Sequence, residues 1–509
     1  MLRRVEYRSR QPTGYGRKSH PNLGGSFAMI LTLASQSYGK RVTWLTVISN
    51  QRFLVALLAL LLAVALDSHS RAENKPNIVV FLTDDLGLLD SEPYGATDVR
   101  TPNMKQLAEV GMTFTHAFVA SPSCAPSRAA LLTGLMPARN GAEANHSFKR
   151  DDVPSLTENL RALGYELAAF GKVAHGKDAV RHRFDKISPK HDQATIREYL
   201  KSRDVTQPLC LFVGTHDPHV PWPTMDGYDP TQALLPPTFI DTPLTREFRA
   251  KYYADVTRAD RDLGEVRELA AEFLGEDSLF IFSSDHGAQW PFGKWNLYDS
   301  GIRVPLIVSW PGRVGLGSQS QAMVQWIDVL PTLIEAAGGD VPVTIDGRSF
   351  LSNFQSENGQ HRDVVFTTHS GDGAMNVYPI RSIRTRDWKL IWNLHPEFAY
   401  TTHIDKALAK DGGRYWISWY EAAKNSPSAR AIVDRYHRRP QFELYDLQND
   451  PFETVNLIES PEHVERIREL KGRLESWMAK QDDQRTVFAE PRLLSDPEST
   501  LPGKNSNAN

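Results

Sequence analysis

"NIVVFLTDD", residues 77–85, runs five apolar residues together and then ends in a threonine and two adjacent carboxylates. A strand with one wet face alternates apolar and polar residues, whereas an unbroken apolar run suits a strand covered on both faces. The same signature recurs in "YELAAF" (165–170), "LCLFVGT" (209–215), "SLFIFSS" (278–284) and "VPLIVSW" (304–310). Between these runs lie helical patterns: "NMKQLAEVG", "SLTENLRALG" and the longer "YYADVTRADRDLGEVRELAAEFL". Strand–helix alternation of this kind predicts an α/β fold built on a mostly parallel sheet with helices on both faces. From about residue 360 the pattern changes. "DVVFTTH", "IRSIRTRDWKLIWN" and "FELYDL" read as half-exposed antiparallel strands, and the charged helix "EHVERIRELKGRLESWMAK" follows. The expected division is a leader and N-terminal extension at 1–72, a large α/β domain at 73–355, and a smaller C-terminal α+β domain at 356–509. The tail of that last part, "LPGKNSNAN", has the composition of a disordered segment.

The leader reading rests on "FLVALLALLLAVAL", residues 53–66. It is uncharged, preceded by Arg52 and followed by small residues at 70 and 72. That is the pattern of a signal-peptide core with cleavage near Ala72, and Met29 is a better-placed start than Met1. Its 14 residues are short for a membrane span, so the mature chain is read as exported and unanchored, to a periplasmic, secreted or lysosome-like compartment. Residues 1–72 hold ten of the Lys and Arg residues and two of the acids. The remainder carries 48 basic and 59 acidic side chains, a net charge of −11. Such a surface argues against nucleic acid as a partner, and an anionic substrate would need a local basic pocket.

In open α/β sheets, ligands bind beyond the carboxyl ends of the strands. Four of the apolar runs end in reactive residues there: Asp84 and Asp85; Lys172 followed by His175; His216, Asp217 and His219; Asp285 and His286. Any one of these has a bland reading as a turn or a helix cap. Together they assemble carboxylates, imidazoles and a lysine at one edge. Three Asp oxygens with a fourth O or N ligand suit a hard divalent cation, and calcium, one ion per chain, is the expected metal. Cys124, one of only two cysteines with Cys210, precedes Pro126 in "CAPSRAALLTG" (124–134). Pro suits the first turn of a helix and Gly134 suits its end, which puts Cys124 at the N-terminus, where the helix dipole favours an anion. Arg128 lies one turn on, on the same face. The two cysteines alone leave a disulfide open.

The motif C-x-P-S-R followed by "AALLTG" resembles the signature of the sulfatase family. Asp84-Asp85, "GYELAAFGK", "THDPH", "SSDHG" and "GKWNLY" follow in that family's order. The C-terminal stretches "MNVYPIRSIRTRDWKLIWNL" and "FELYDLQNDPFETVNL" resemble the heparan N-sulfatase (sulfamidase) group and its bacterial relatives. The resemblance implies an alkaline-phosphatase-like fold and an exported hydrolase of sulfuric ester or sulfamate bonds in a sulfated saccharide. It also implies that Cys124 is oxidised to formylglycine by dedicated machinery during export, which removes it from any disulfide. Carried over, Asp84, Asp85, Cys124, Asp285 and His286 would bind calcium. Arg128 and Lys172 would stabilise the deprotonated diol, and Lys294 would hold a sulfate oxygen. His216 would act as general acid, and His175 would take a proton from the second hydroxyl, although "GKVAH" sets it three residues after the lysine where two is common. Alternatives are a carbohydrate O-sulfatase on the same scaffold, a formylglycine-dependent phosphodiester or phosphonate hydrolase, and a polysaccharide-binding relic. A homodimer is left open.

One stretch departs from the strand pattern. "THSGDGAMNVYPIR", residues 368–381, is rich in Gly and polar groups, as a loop reaching over a neighbouring site would be. His369, Asp372 and Arg381 are therefore candidates for binding sugar beyond the sulfate.

Overall fold

A computed structural model describes residues 75–275, 277–407 and 413–503. The leader and its cleavage point, and the last six residues of the tail, lie outside these. Eight strands form the main sheet: β1 (Ile78–Thr83), β2 (Met112–Phe118), β3 (Glu166–Gly171), β4 (Lys186–Ser188), β5 (Leu209–Gly214), β6 (Leu279–Ser284), β7 (Leu306–Ser309) and β8 (Ser318–Gln325). Their order is β4-β3-β5-β1-β6-β7-β2-β8. β1 pairs in parallel with β5 on one side and β6 on the other. β3 is parallel to β4 and β5, and β2 to β8. Only β7 runs against its neighbours, β6 and β2. Every residue of β1, β5, β6 and β7 is buried, as their unbroken apolar runs require. β7 reads like a parallel strand because continuous hydrophobicity reports two covered faces and says nothing of direction. The edge strand β8, "SQSQAMVQ", alternates buried and exposed over its first half and has no such run to betray it.

Because β1, β3, β5 and β6 share a direction, their carboxyl ends open onto one edge. At that edge the ends of β3 and β5 come close. A Cβ on Gly171 (φ +70°) would sit 2.1 Å from the Gly214 carbonyl, and one on Gly214 would sit 2.0 Å from that of Lys172. The Lys172 N–H donates to that Gly214 oxygen at 2.8 Å. Two glycines thus allow the crossing that carries Lys172 off β3.

Helix α1 (Cys124–Thr133) is buried along its whole length. It stops at Gly134 (φ +66°), whose N–H closes on the Ala130 carbonyl at 2.9 Å. Helix α2 (Pro243–Phe273) is capped by Thr242, which accepts from the Thr245 N–H. It buries Tyr252, Val256, Leu263 and Leu269 in the core that contains β1. A second, antiparallel sheet follows, in the order β12-β11-β10-β9, from β9 (Val364–His369), β10 (Ile380–Thr385), β11 (Trp388–Asn393) and β12 (Phe442–Asp446). Helix α3 (Val464–Lys480) places Leu470, Leu474 and Met478, one turn apart, against Ile383, Leu390 and Leu444. The α/β sheet with a separate antiparallel sheet matches the expected fold class. Residues from Lys75 onward form one compact unit, and Val365, Ile380 and Ile391 share a continuous core with β1. β8 ends at Gln325 and β9 begins at Val364, so the two sheets follow one another in sequence but share one core. Among the described residues, no helix is long and apolar enough to cross a membrane.

Candidate active site

β1 delivers Asp84 and Asp85, and the adjacent β6 delivers Asp285 and His286, to the N-terminus of α1. Asp85 holds φ at +69°, a left-handed backbone that a non-glycine residue adopts at some cost. Its N–H donates to Asp285 Oδ1 at 3.0 Å, which pins the two strand ends together. Ligand atoms of Asp84, Asp85, Cys124, Asp285 and His286 all lie within 4.8 Å of one another, and all five residues are buried. Cys124 Sγ is 3.3 Å from His286 Nε2, 3.6 Å from Lys172 Nζ and 3.7 Å from Asp84 Oδ1. Both cysteines are free thiols.

Two buried cations, Arg128 and Lys294, and the half-buried Lys172 answer the three carboxylates. Arg128 donates from Nε to Asp285 Oδ2 at 2.9 Å and from its guanidinium to Asp84 Oδ1 at 3.2 Å; it also meets the Lys172 carbonyl. Lys172 pairs with Asp84, and Lys294 Nζ donates to Asp85 Oδ2 at 2.7 Å. Burial opposes ionisation of Asp84, yet Lys172, His219 and Arg128 hold it well below the usual carboxylate range. Burial opposes ionisation of Asp85 as well, but Lys294 and His219 lower its pKa. At Asp285 burial wins and the carboxyl is pushed up, against Arg128 and His286. Burial also pushes the Cys124 thiol up, so the unmodified side chain is a poor nucleophile.

The donor set fits a hard divalent cation. Asp85 Oδ1 is buried and accepts no hydrogen bond, an orphan that a cation would satisfy. His286 Nδ1 lies 2.9 Å from the Gly287 carbonyl, which can only accept, so Nδ1 carries the proton. That leaves the Nε2 lone pair facing Cys124 and Asp85.

The imidazoles stand around this centre. His175 Nε2 is 2.8 Å from His146 Nδ1. Burial, with Lys172 and His146 nearby, lowers its pKa to about 3, so the ring is neutral. His216 is exposed and borders a groove of about 580 Å³, lined by Lys190, His191, Asp217, Arg261 and Asp262 among others. His219, quoted in the strand-end run but given no role, lies 4.0 Å from Asp85 Oδ2.

The loop between β9 and β10 does reach this end of the sheet, but not with open polar groups. Asp372 is 3% exposed, and donors surround its carboxylate. Trp295 Nε1 donates to it at 2.8 Å and Asn145 Nδ2 at 2.9 Å; His146 Nε2 is 3.2 Å away and His403 Nε2 3.7 Å. Those donors hold its pKa well below the usual range despite burial. His369 is fully buried, with Nε2 2.7 Å from Asn376 Oδ1. Arg381 is fully buried too, and grips Asp483 through two guanidinium nitrogens while NH1 donates to the His369 and Ile380 carbonyls. The expectation that these three meet sugar finds no open polar groups here: all three are buried, Asp372 and Arg381 are paired inside the protein, and His369 Nδ1 is buried without a hydrogen-bond partner. Asn145 and His146, from the irregular stretch after α1, were not singled out at all. No period or motif marks them, and the only physical sign, φ +63° at His146, is a property of the fold.

The sequence profile of the sulfatase family matches residues 76–339, and that of the N-sulphoglucosamine sulphohydrolase C-terminal region matches 286–405. An ulvan-active sulfatase of Formosa agariphila is 32% identical over 438 residues, 82% of this chain and 83% of that protein. The N-sulphoglucosamine sulphohydrolase of Homo sapiens is 29% identical over 463 residues, 79% of this chain and 89% of that one. A solved structure in complex with its substrate D-glucosamine-2-N,6-O-disulfate superposes with a TM-score of 0.62 at 19% identity, over 81% of this chain and 99% of the other.

Proposed function

The chain belongs to the sulfatase family, and we propose that it removes sulfate from a saccharide through formylglycine at position 124 and a calcium ion. The observation that carries this reading is the buried cluster of Asp84, Asp85, Asp285 and His286 around Cys124, with Lys172 and Lys294 beside it. Among sulfated saccharides, an N-sulfoglucosamine group is the favoured substrate. The matched C-terminal profile and the human relative support that choice. A second reading, a polysaccharide O-sulfatase, is favoured by the 32% identity to an ulvan-active enzyme.

When present, hydrated formylglycine supplies a nucleophilic oxygen, and calcium supplies positive charge for the sulfate oxygens. The rest falls to the chain's own side chains. Lys172 and Lys294 hold ammonium groups beside position 124, where charge shifts during attack on sulfur. Arg128 is fully buried and reaches Asp84 and Asp285, so its work is to fix those carboxylates and to offset their charge. His175, neutral, accepts a proton at a ring nitrogen. His216, at the exposed side, donates one to the departing nitrogen or oxygen. An anionic substrate beside it raises its proton affinity for that role. The test is a panel of defined N-sulfated and O-sulfated saccharides with product analysis, together with the mass of the peptide containing residue 124. Release of sulfate from none of them, with residue 124 converted and calcium bound, would overturn the reading.

A further inference from the structure

We propose that His146 and Asp372 are positioning residues that select the tautomer of His175 and thereby expose a bare nitrogen to the reaction. The inference rests on the reading of His175 as a proton acceptor. The line of contacts runs Asp372 Oδ1, His146 Nε2 at 3.2 Å, then His146 Nδ1 to His175 Nε2 at 2.8 Å.

Each link fixes the next. An ionised carboxylate can only accept, so His146 carries its proton on Nε2. Asn145 Nδ2 also lies near that nitrogen, but at 3.5 Å, farther than the carboxylate oxygen at 3.2 Å, and the amide's short hydrogen bond goes to Asp372 at 2.9 Å. A neutral His146 with Nε2–H has a lone pair on Nδ1, so His175 must donate from Nε2. His175 Nδ1 is then the nitrogen without a proton. That atom is buried and has no hydrogen-bond partner. A buried polar atom left unpaired is costly, and a proton taken up at Nδ1 during the reaction would turn that acceptor into a donor. The proton enters His175 at Nδ1 and leaves by the same atom, while Nε2–H stays on His146 throughout.

Other features point the same way. His146 adopts φ +63°, and its side chain is 63% exposed, so packing does not explain a histidine there. Asp372 comes from the second sheet's loop, yet Asn145 also joins it to α1, because Asn145 Oδ1 accepts the Ala125 N–H at 3.1 Å. One carboxylate thus sets both the helix that carries residue 124 and the histidine that serves it.

The test is a double-mutant cycle on the calcium-loaded, converted enzyme with nitrophenyl sulfate. In Asp372→Asn the new amide can still accept from Trp295 and Asn145 while its N–H faces His146, which reverses the tautomer along the line. The expected result is a fall in kcat on the order of 100-fold, with KM changed less than about twofold. His146→Gly suits the left-handed backbone and should lower kcat about tenfold without lowering the melting temperature. In the His146→Gly background, Asp372→Asn should cost less than about threefold more, because the message has no carrier. Independent, multiplying losses, or an effect confined to KM, would overturn the inference. His175→Ala separates the two readings. If that variant is active, His175 is not the proton acceptor; if it is inactive while the cycle shows independence, only the positioning role fails.

Discussion

Truncating Asp372 to alanine should damage catalysis on every substrate alike. Its carboxylate accepts from Trp295 Nε1 at 2.8 Å and Asn145 Nδ2 at 2.9 Å, and both residues are buried. Leaving two buried donors unpaired costs roughly 1–3 kcal/mol each, or roughly 2–6 kcal/mol in all. The unfolding entropy of a compact unit of about 430 residues is about 0.9 kcal/mol/K, so the melting temperature should fall by about 2–7 °C. The enzyme therefore remains folded at assay temperature. Its kcat should drop nonetheless, because Asn145 Oδ1 holds the Ala125 N–H in the first turn of α1, next to residue 124. A displacement of that turn by a fraction of an ångström to an ångström costs up to about 100-fold in rate. The assay compares kcat and KM for a sulfated saccharide and for nitrophenyl sulfate, with calorimetry of both proteins. Comparable losses on the two substrates are expected. A large loss on the saccharide with nitrophenyl sulfate spared, at unchanged melting temperature, would show that Asp372 touches sugar and refute the reasoning.

Cys124→Ala should fold normally and show no turnover, and peptide mass spectrometry of the active wild type should find the aldehyde in place of the thiol. Asp84→Asn and Asp285→Asn should each weaken calcium affinity and activity together, read by calorimetric titration; stoichiometric zinc without calcium in active enzyme would contradict the assignment. Arg381→Met should destabilise by about 3–5 kcal/mol by leaving buried Asp483 unpaired, with KM for saccharide unchanged. Acid should destabilise the fold through its neutral histidines. His116 and His175 are lowered to about 3 and His369 to about 4, chiefly by burial. A base with a depressed folded-state pKa binds protons more readily when unfolded, so the stability it contributes is complete above its unfolded value, about 6.5, and is lost as pH falls below that. Melting temperature should therefore decline from about pH 6.5 downward, and His175→Gln should flatten part of that decline.

The sequence revealed what repeats a local rule. β1, β5, β6 and β7 were legible because a strand buried on both faces must be apolar throughout. Asp84, Asp85, Lys172, Asp285 and His286 were legible because each directly follows such a run, and parallel strands leave those positions on one edge. β8 and the short β4 escaped because edge positions relax the demand for apolar residues. The reverse direction of β7 escaped because burial has no polarity along the chain.

The loop at 368–381 shows where this kind of reading stops. Its Gly and polar content correctly marked a segment that leaves the sheet and approaches the site. From composition alone, His369, Asp372 and Arg381 were equivalent to groups waiting for a ligand. Their partners are Asn376 for His369, Asp483 for Arg381, and Trp295, Asn145 and His146 for Asp372. Most of these lie far away in sequence, so no local pattern could pair them. A polar side chain in a loop advertises a need for hydrogen bonds, and whether protein or substrate meets it is decided by tertiary contacts. Asp372 met that need inside the fold, and in doing so became the group that the first turn of α1 and His146 both lean on.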